Sequence, residues 1–138
     1  MLIVEIFNSS ATQIKWGTRN KYGWQGSFDI DNDTISIQFV VHPDDDPSEA
    51  FLEFDINGSQ QLSKKNKNHF IILSTISSGI DQYIKKEKPT KLHIQSDAEE
   101  PARVRVFSHL LKKIGKKFGY TFKQEPTSLG YDHITISK

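Results

Sequence analysis

The chain has 138 residues, 36% apolar and 25% charged, with a formal net charge of +1 at pH 7. That suits one folded domain over residues 1–138 and gives no overall pull toward nucleic acid or a membrane surface. There is no cysteine, which excludes disulfides and thiolate metal sites.

The start, MLIVEIFNSS, lacks a positive n-region and a cleavage motif, so no signal peptide is expected. No apolar run reaches the length of a membrane span. Leu2–Phe7 is short and β-branched and predicts a strand. Ile14–Trp16 and Tyr22–Ile30 read as extended segments interrupted by glycine. Thr34–Val41 alternates, with Ile35, Ile37 and Phe39 on one face, and Ala50–Ile56 alternates again after an acidic loop. The first part is therefore expected to be an antiparallel meander.

The period then changes to three and four. Ile72, Ile76, Ile80, Tyr83 and Ile84 predict an amphipathic helix over residues 68–86, weakened at Gly79 and stopped by Pro89. Lys91–Ser96 predicts a strand. SDAEEP then supplies capping residues and a proline suited to a first turn. Val104, Phe107, Leu111, Ile114 and Phe118 form the apolar stripe of a second helix, with Gly119 as its stop. YTFKQ and YDHITIS read as two final strands. The expected class is α+β: a mixed, mostly antiparallel sheet in the order β-β-β-β-α-β-α-β-β with two main helices. A helix between the fourth and fifth strands makes that pair parallel.

This order, with KKFGYTF (Lys116–Phe122) leading from a helix into a strand, resembles the core and second half of the GCN5-related N-acetyltransferase fold. The stretch from Phe51 to Tyr120 and the segment SDAEEPARVRVF also resemble small bacteriophage proteins. The first resemblance implies a phosphate loop after the fourth strand, filled here by Leu62, Ser63, Lys64, Lys65, Asn66 and Lys67. It implies that acetyl-coenzyme A would lie there, with backbone near Asp55–Asn57 aligning the thioester. In the family, glycines let that loop's backbone approach the pyrophosphate. Here lysines and an asparagine take those places, so the loop reads as a solvated basic segment, with the cradle as the alternative. The family's acid, a tyrosine four residues before the helix-end glycine, corresponds to Gly115. No cofactor is expected on the first reading, and acetyl-coenzyme A on the second.

The five histidines form no metal-ligand spacing, and Asp44, Asp45 and Asp46 lack the spaced ligands of a calcium loop. His93 stands on the face of its strand opposite Leu92 and Ile94. Glu99, Glu100 and Arg103 are its expected polar neighbours, with capping and an ion pair as their ordinary role. The basic residues Arg103, Arg105, Lys112, Lys113, Lys116 and Lys117 are what an amphipathic helix carries opposite its stripe, so nucleic-acid binding ranks third. Trp16, Tyr22 and Trp24 are core aromatics unless one is exposed, when they would mark a protein-contact surface.

The first expectation is a non-catalytic, cytoplasmic accessory protein of phage origin. It would work through Trp16, Tyr22 and Trp24 or through Asp44–Asp46 on a host or virion protein. The alternative is an acetyl-coenzyme A-dependent N-acyltransferase.

Overall fold

A computed structural model describes residues 12–30, 32–56, 69–97, 101–126 and 131–138. The predicted strand at Leu2–Phe7, the loop Leu62–Lys67 and Glu99–Glu100 lie outside the described residues. The strands are β1 (Lys15–Trp16), β2 (Gly23–Ile30), β3 (Asp33–His42), β4 (Asp46–Ile56), β5 (Lys91–Asp97), β6 (Thr121–Pro126) and β7 (Tyr131–Ser137). Helix α1 (His69–Glu87) links β4 to β5, and α2 (Pro101–Phe118) links β5 to β6. They make one mixed sheet in the order β1-β2-β3-β4-β5-β7-β6. Every neighbouring pair is antiparallel except β4–β5. This is the expected α+β class, a mixed, mostly antiparallel sheet with two main helices.

The alternation of the strands divides the sheet into two faces. Partners across the ladders put Phe28, Ile35, Ile37, Phe39, Leu52, Ile94 and Ile134 on one face, all of them buried. Both helices cover that face. Gly79 of α1 lies so close to it that a Cβ there would sit 2.9 Å from the Cδ1 atoms of Ile14 and Ile37, and Gly115 of α2 faces Ile136. Gly79 weakens the helix locally but admits this close approach, so packing outweighs propensity. The other face carries Gln25, Gln38 and Glu53, and, two residues along β4 from Glu53, the row Phe51, His93, Thr135 and Lys123.

Trp16 and Trp24 stack at 3.7 Å within the apolar layer, Trp24 only 8% exposed. Their indole N–H groups donate to Gln82 Oε1 and the Gly17 carbonyl, both at 2.9 Å. The end of α2 closes as expected. Gly119 is left-handed (φ 81°), Tyr120 N donates to Gly115 O at 2.7 Å, and Gly119 N donates to Lys116 O at 3.4 Å. Helix α1 ends differently, with Lys88 in the left-handed region (φ 48°) donating to Ile84 O at 2.9 Å before Pro89.

Candidate functional site

The parallel ladder between β4 and β5 is short. It runs from Glu49–Lys91 to Leu52–Ile94 and stops. Both strands continue, β4 to Ile56 along β3 and β5 to Asp97 along β7. The sheet therefore opens between its two central strands, at the end from which the chain leaves β4 toward α1.

Beside the foot of this opening, on the polar face, stands a chain of side chains. His93 on β5 pairs across the ladder with Phe51 on β4, and the two rings stack at 4.5 Å. His42 meets the Phe51 ring edge-on at 5.2 Å. His93 Nδ1 lies 3.1 Å from His133 Nε2 on β7, within hydrogen-bonding distance, and His93 Nε2 lies 3.7 Å from Glu49 Oε2. The last distance is too long for a hydrogen bond, so Glu49 acts on His93 by charge, and Nε2 is buried without a hydrogen-bond partner among the described residues. Burial lowers the pKa of His93, with smaller pushes down from His133 and Lys91, against an upward pull from Glu49. His93 is therefore neutral at pH 7.

The carboxylate selects the tautomer. An Nε2 lone pair facing Glu49 would be repelled, so the proton of neutral His93 belongs on Nε2. His93 Nδ1 then accepts, and His133 Nε2 must donate. Glu49, His93 and His133 thus form a connected relay on the polar face of the sheet, with half-buried His133 at its end.

His93 stands on the polar face as expected, and among the described residues its ring meets Glu49, Phe51 and His133 across the sheet; Glu99, Glu100 and the Arg103 side chain, its expected neighbours, lie outside what the structure describes. Gly115 lies inside the α2–sheet packing, where a Cβ would meet Ile136 and Tyr120 at 3.4 and 3.6 Å. Tyr120 donates its hydroxyl to the Pro89 carbonyl. Of the three aromatics at the meander's start, Tyr22 is 58% exposed while Trp16 and Trp24 are packed. Val41 N donates to Tyr22 O, so Tyr22 shares its end of the sheet with the exposed Asp44, Asp45 and Asp46. Hydrogen bonds from Ser48 hold the Asp46 carboxyl below its ordinary pKa. On the basic helix, Lys117 pairs with Asp81 at 2.8 Å and Lys112 lies 5.1 Å over the Phe122 ring.

No helix among the described residues is long and apolar enough to cross a membrane. No family model and no curated protein matches the chain. Two acetyltransferases are among the solved structures that resemble it. One is the ribosomal-protein-S5-alanine acetyltransferase from Vibrio fischeri, at 13% identity and a TM-score of 0.49, over 85% of this chain and 61% of that one. The other is a ribosomal L7/L12 α-N-protein acetyltransferase in complex with coenzyme A, at 11% identity and a TM-score of 0.43, over 85% of this chain and 62% of that one. The chain spans about three-fifths of the length of these structures, and the likeness is one of chain course alone.

Proposed function

We propose that the protein is an acyl-coenzyme A-dependent N-acyltransferase. The β4–β5 opening would take the thioester arm, and the Glu49–His93–His133 relay would serve the acceptor amine. The observation that carries this reading is their placement. His133 pairs with Gln95, one ladder step beyond the last β4–β5 pair. An opening between two strands suits an extended amide chain, which can lie along a strand as an added strand does. A bound acyl-coenzyme A would supply the activated carbonyl. The chain's own part would be to hold the His133 imidazole where it takes the amine proton as the new C–N bond forms and the thioester C–S bond breaks, with coenzyme A leaving as a thiolate that takes its proton from solvent.

The test is thermal unfolding with and without millimolar acetyl-coenzyme A, followed by acetyl transfer to a primary amine across pH. A ligand that binds only the folded state raises Tm. His133→Gln should keep the Tm shift and lower the transfer rate about 100-fold, the loss expected of a general base. Absence of any Tm shift would sink the reading.

A second reading is a non-catalytic accessory protein, phage-encoded and working by contact with a host or virion protein. Tyr22, exposed beside Asp44–Asp46, favours it, as do Gly115 at the family's acid position and the loop without glycine. Tyr22→Ala should then weaken capture of the partner, and unchanged capture would remove that surface.

A further inference from the structure

Helices α1 and α2 cover the same face of the sheet, so their outward sides form one surface, across the sheet from the His93 relay. Lys117 Nζ joins them there, 2.8 Å from Asp81 Oδ1. The surface carries Lys85 from α1 and Arg105, Lys112, Lys113, Lys116 and Lys117 from α2, all exposed. Helix α2 has no acidic residue along PARVRVFSHLLKKIGKKF. The two carboxylates of α1 are both engaged, Asp81 by Lys85 and Lys117 and Glu87 by Arg19. Asp29, Glu49, Glu53 and Asp55 stand instead on the polar face of the sheet. A net charge of +1 thus hides a division between a basic helix side and a sheet side that holds most of the acids.

Folding does not require this division. A soluble surface ordinarily mixes both signs. Lys112 with Lys116, and Lys113 with Lys117, are like charges four residues apart, an arrangement that opposes the helix. The helix dipole accounts for Lys116 and Lys117 in the last turn, and the Lys112 ammonium lies 5.1 Å over the Phe122 ring. Arg105 and Lys113 have neither support and make no ion pair among the described residues. From Arg105 to Lys117 the helix rises about 18 Å, about five phosphate spacings along one strand of a duplex. Among the described residues the exposed large apolar side chain is Tyr22, in the turn before β2 and not on this surface. The helix side therefore offers unpaired bases no aromatic platform, and a bilayer nothing apolar to bury.

We propose that the outer side of α1 and α2 binds double-stranded nucleic acid through its phosphates, without reading base sequence. Charge complementarity selects this partner, and the missing aromatic platform selects the duplex over the single strand. Lys85 and Lys117 are partly neutralised by Asp81, so Arg105, Lys112, Lys113 and Lys116 make the contacts, to about four phosphates. The surface lies across the sheet from the relay, and its partner does not depend on the transferase reading.

The experiment is fluorescence anisotropy of the full chain with labelled duplex DNA, duplex RNA and a single strand, each of about 20 nucleotides per strand, from about 50 to 200 mM sodium chloride. Sedimentation with phosphatidylserine–phosphatidylcholine vesicles runs beside it. Four phosphate contacts predict that duplex affinity falls about 100-fold over that range, alike for two unrelated sequences. Whichever duplex binds more tightly tells DNA from RNA. Arg105→Ala and Lys113→Ala, whose thermal unfolding reports their fold, should each lower the salt slope by about one. Lys123→Ala, on the other face of the sheet, should leave it unchanged. No duplex binding at about 50 mM salt, a slope that Arg105→Ala and Lys113→Ala leave unchanged, or tighter binding of the single strand would overturn the proposal. Capture by the vesicles with the duplexes ignored would make the partner a membrane surface and overturn it equally.

Discussion

Phe51→Ala tests whether the Phe51 ring keeps water from His93. A fully buried Phe removes about 150–250 Å² from water, and Phe51 is half-buried, so about 100 Å² is at stake. At about 25 cal/mol per Å² this is ~2.5 kcal/mol. Loss of the stacked contact with His93 adds ~0.5 kcal/mol or more. The variant should therefore be about 3 kcal/mol less stable at pH 8. Acid changes the comparison. Because burial sets the folded pKa of His93 below the unfolded value, the unfolded chain binds more protons as pH falls through the ordinary histidine range near 6.5. The native protein thus loses stability between pH 8 and pH 5, and a hydrated His93 in the variant loses less. The gap should narrow by about 1.4 kcal/mol for each pH unit of displacement removed. Urea unfolding of both proteins at pH 8 and pH 5 measures the gap, and NMR titration of the His93 ring follows its pKa directly. A gap as wide at pH 5 as at pH 8 would refute the burial mechanism, whatever the size of the loss at pH 8.

Three further outcomes rest on local geometry. Gly23→Ala should cost more than about 3 kcal/mol or abolish folding, because φ is 127° and a Cβ would lie 1.8 Å from the Phe39 carbonyl oxygen; native-like urea unfolding would contradict this. Lys88→Gly should stabilise by about 0.5–1 kcal/mol in the same assay, since it relieves a non-glycine left-handed residue at the end of α1 at some cost in chain entropy. Asp81→Asn should cost no more than about 1 kcal/mol at neutral pH, because Lys85 and Lys117 at 3.0 and 2.8 Å are both more than half exposed. Burial raises the pKa of Asp81 but the two lysines outweigh it, so their contribution is present above the ordinary carboxylate pKa and fades as pH falls through the depressed one; a loss unaffected by pH or salt would argue against the pairing.

Local pattern carried much of the architecture. Alternation set β3 and β4, the three-four period set both helices, and Gly119 and Pro89 marked their ends closely. These signals lie within a single element, where side-chain direction repeats with the backbone. The relay was not legible in the same way. His93 and His133 each stand on a polar strand face, and nothing nearby in sequence joins residues 40 positions apart. They meet because β7 inserts between β5 and β6, a strand order that depends on how the whole sheet closes. Gly79 was misweighed for a related reason. Its cost to the helix is local, whereas its benefit depends on Ile14 and Ile37, which come from elsewhere in the chain.

The short parallel ladder separates the chemistry of the two ends of β4. Where β4 pairs with β5, from Glu49 to Leu52, the strand is fixed on both sides and its side chains are held in register with Lys91, His93 and Ile94. That is the stretch in which Glu49 and Phe51 set the tautomer and hydration of His93. Beyond Leu52 the two strands no longer pair with each other, while β3 and β7 still support them on their outer sides. Before Glu49, the β3–β4 turn faces the last turn of α1 and leaves a cleft around Tyr83 and Glu87.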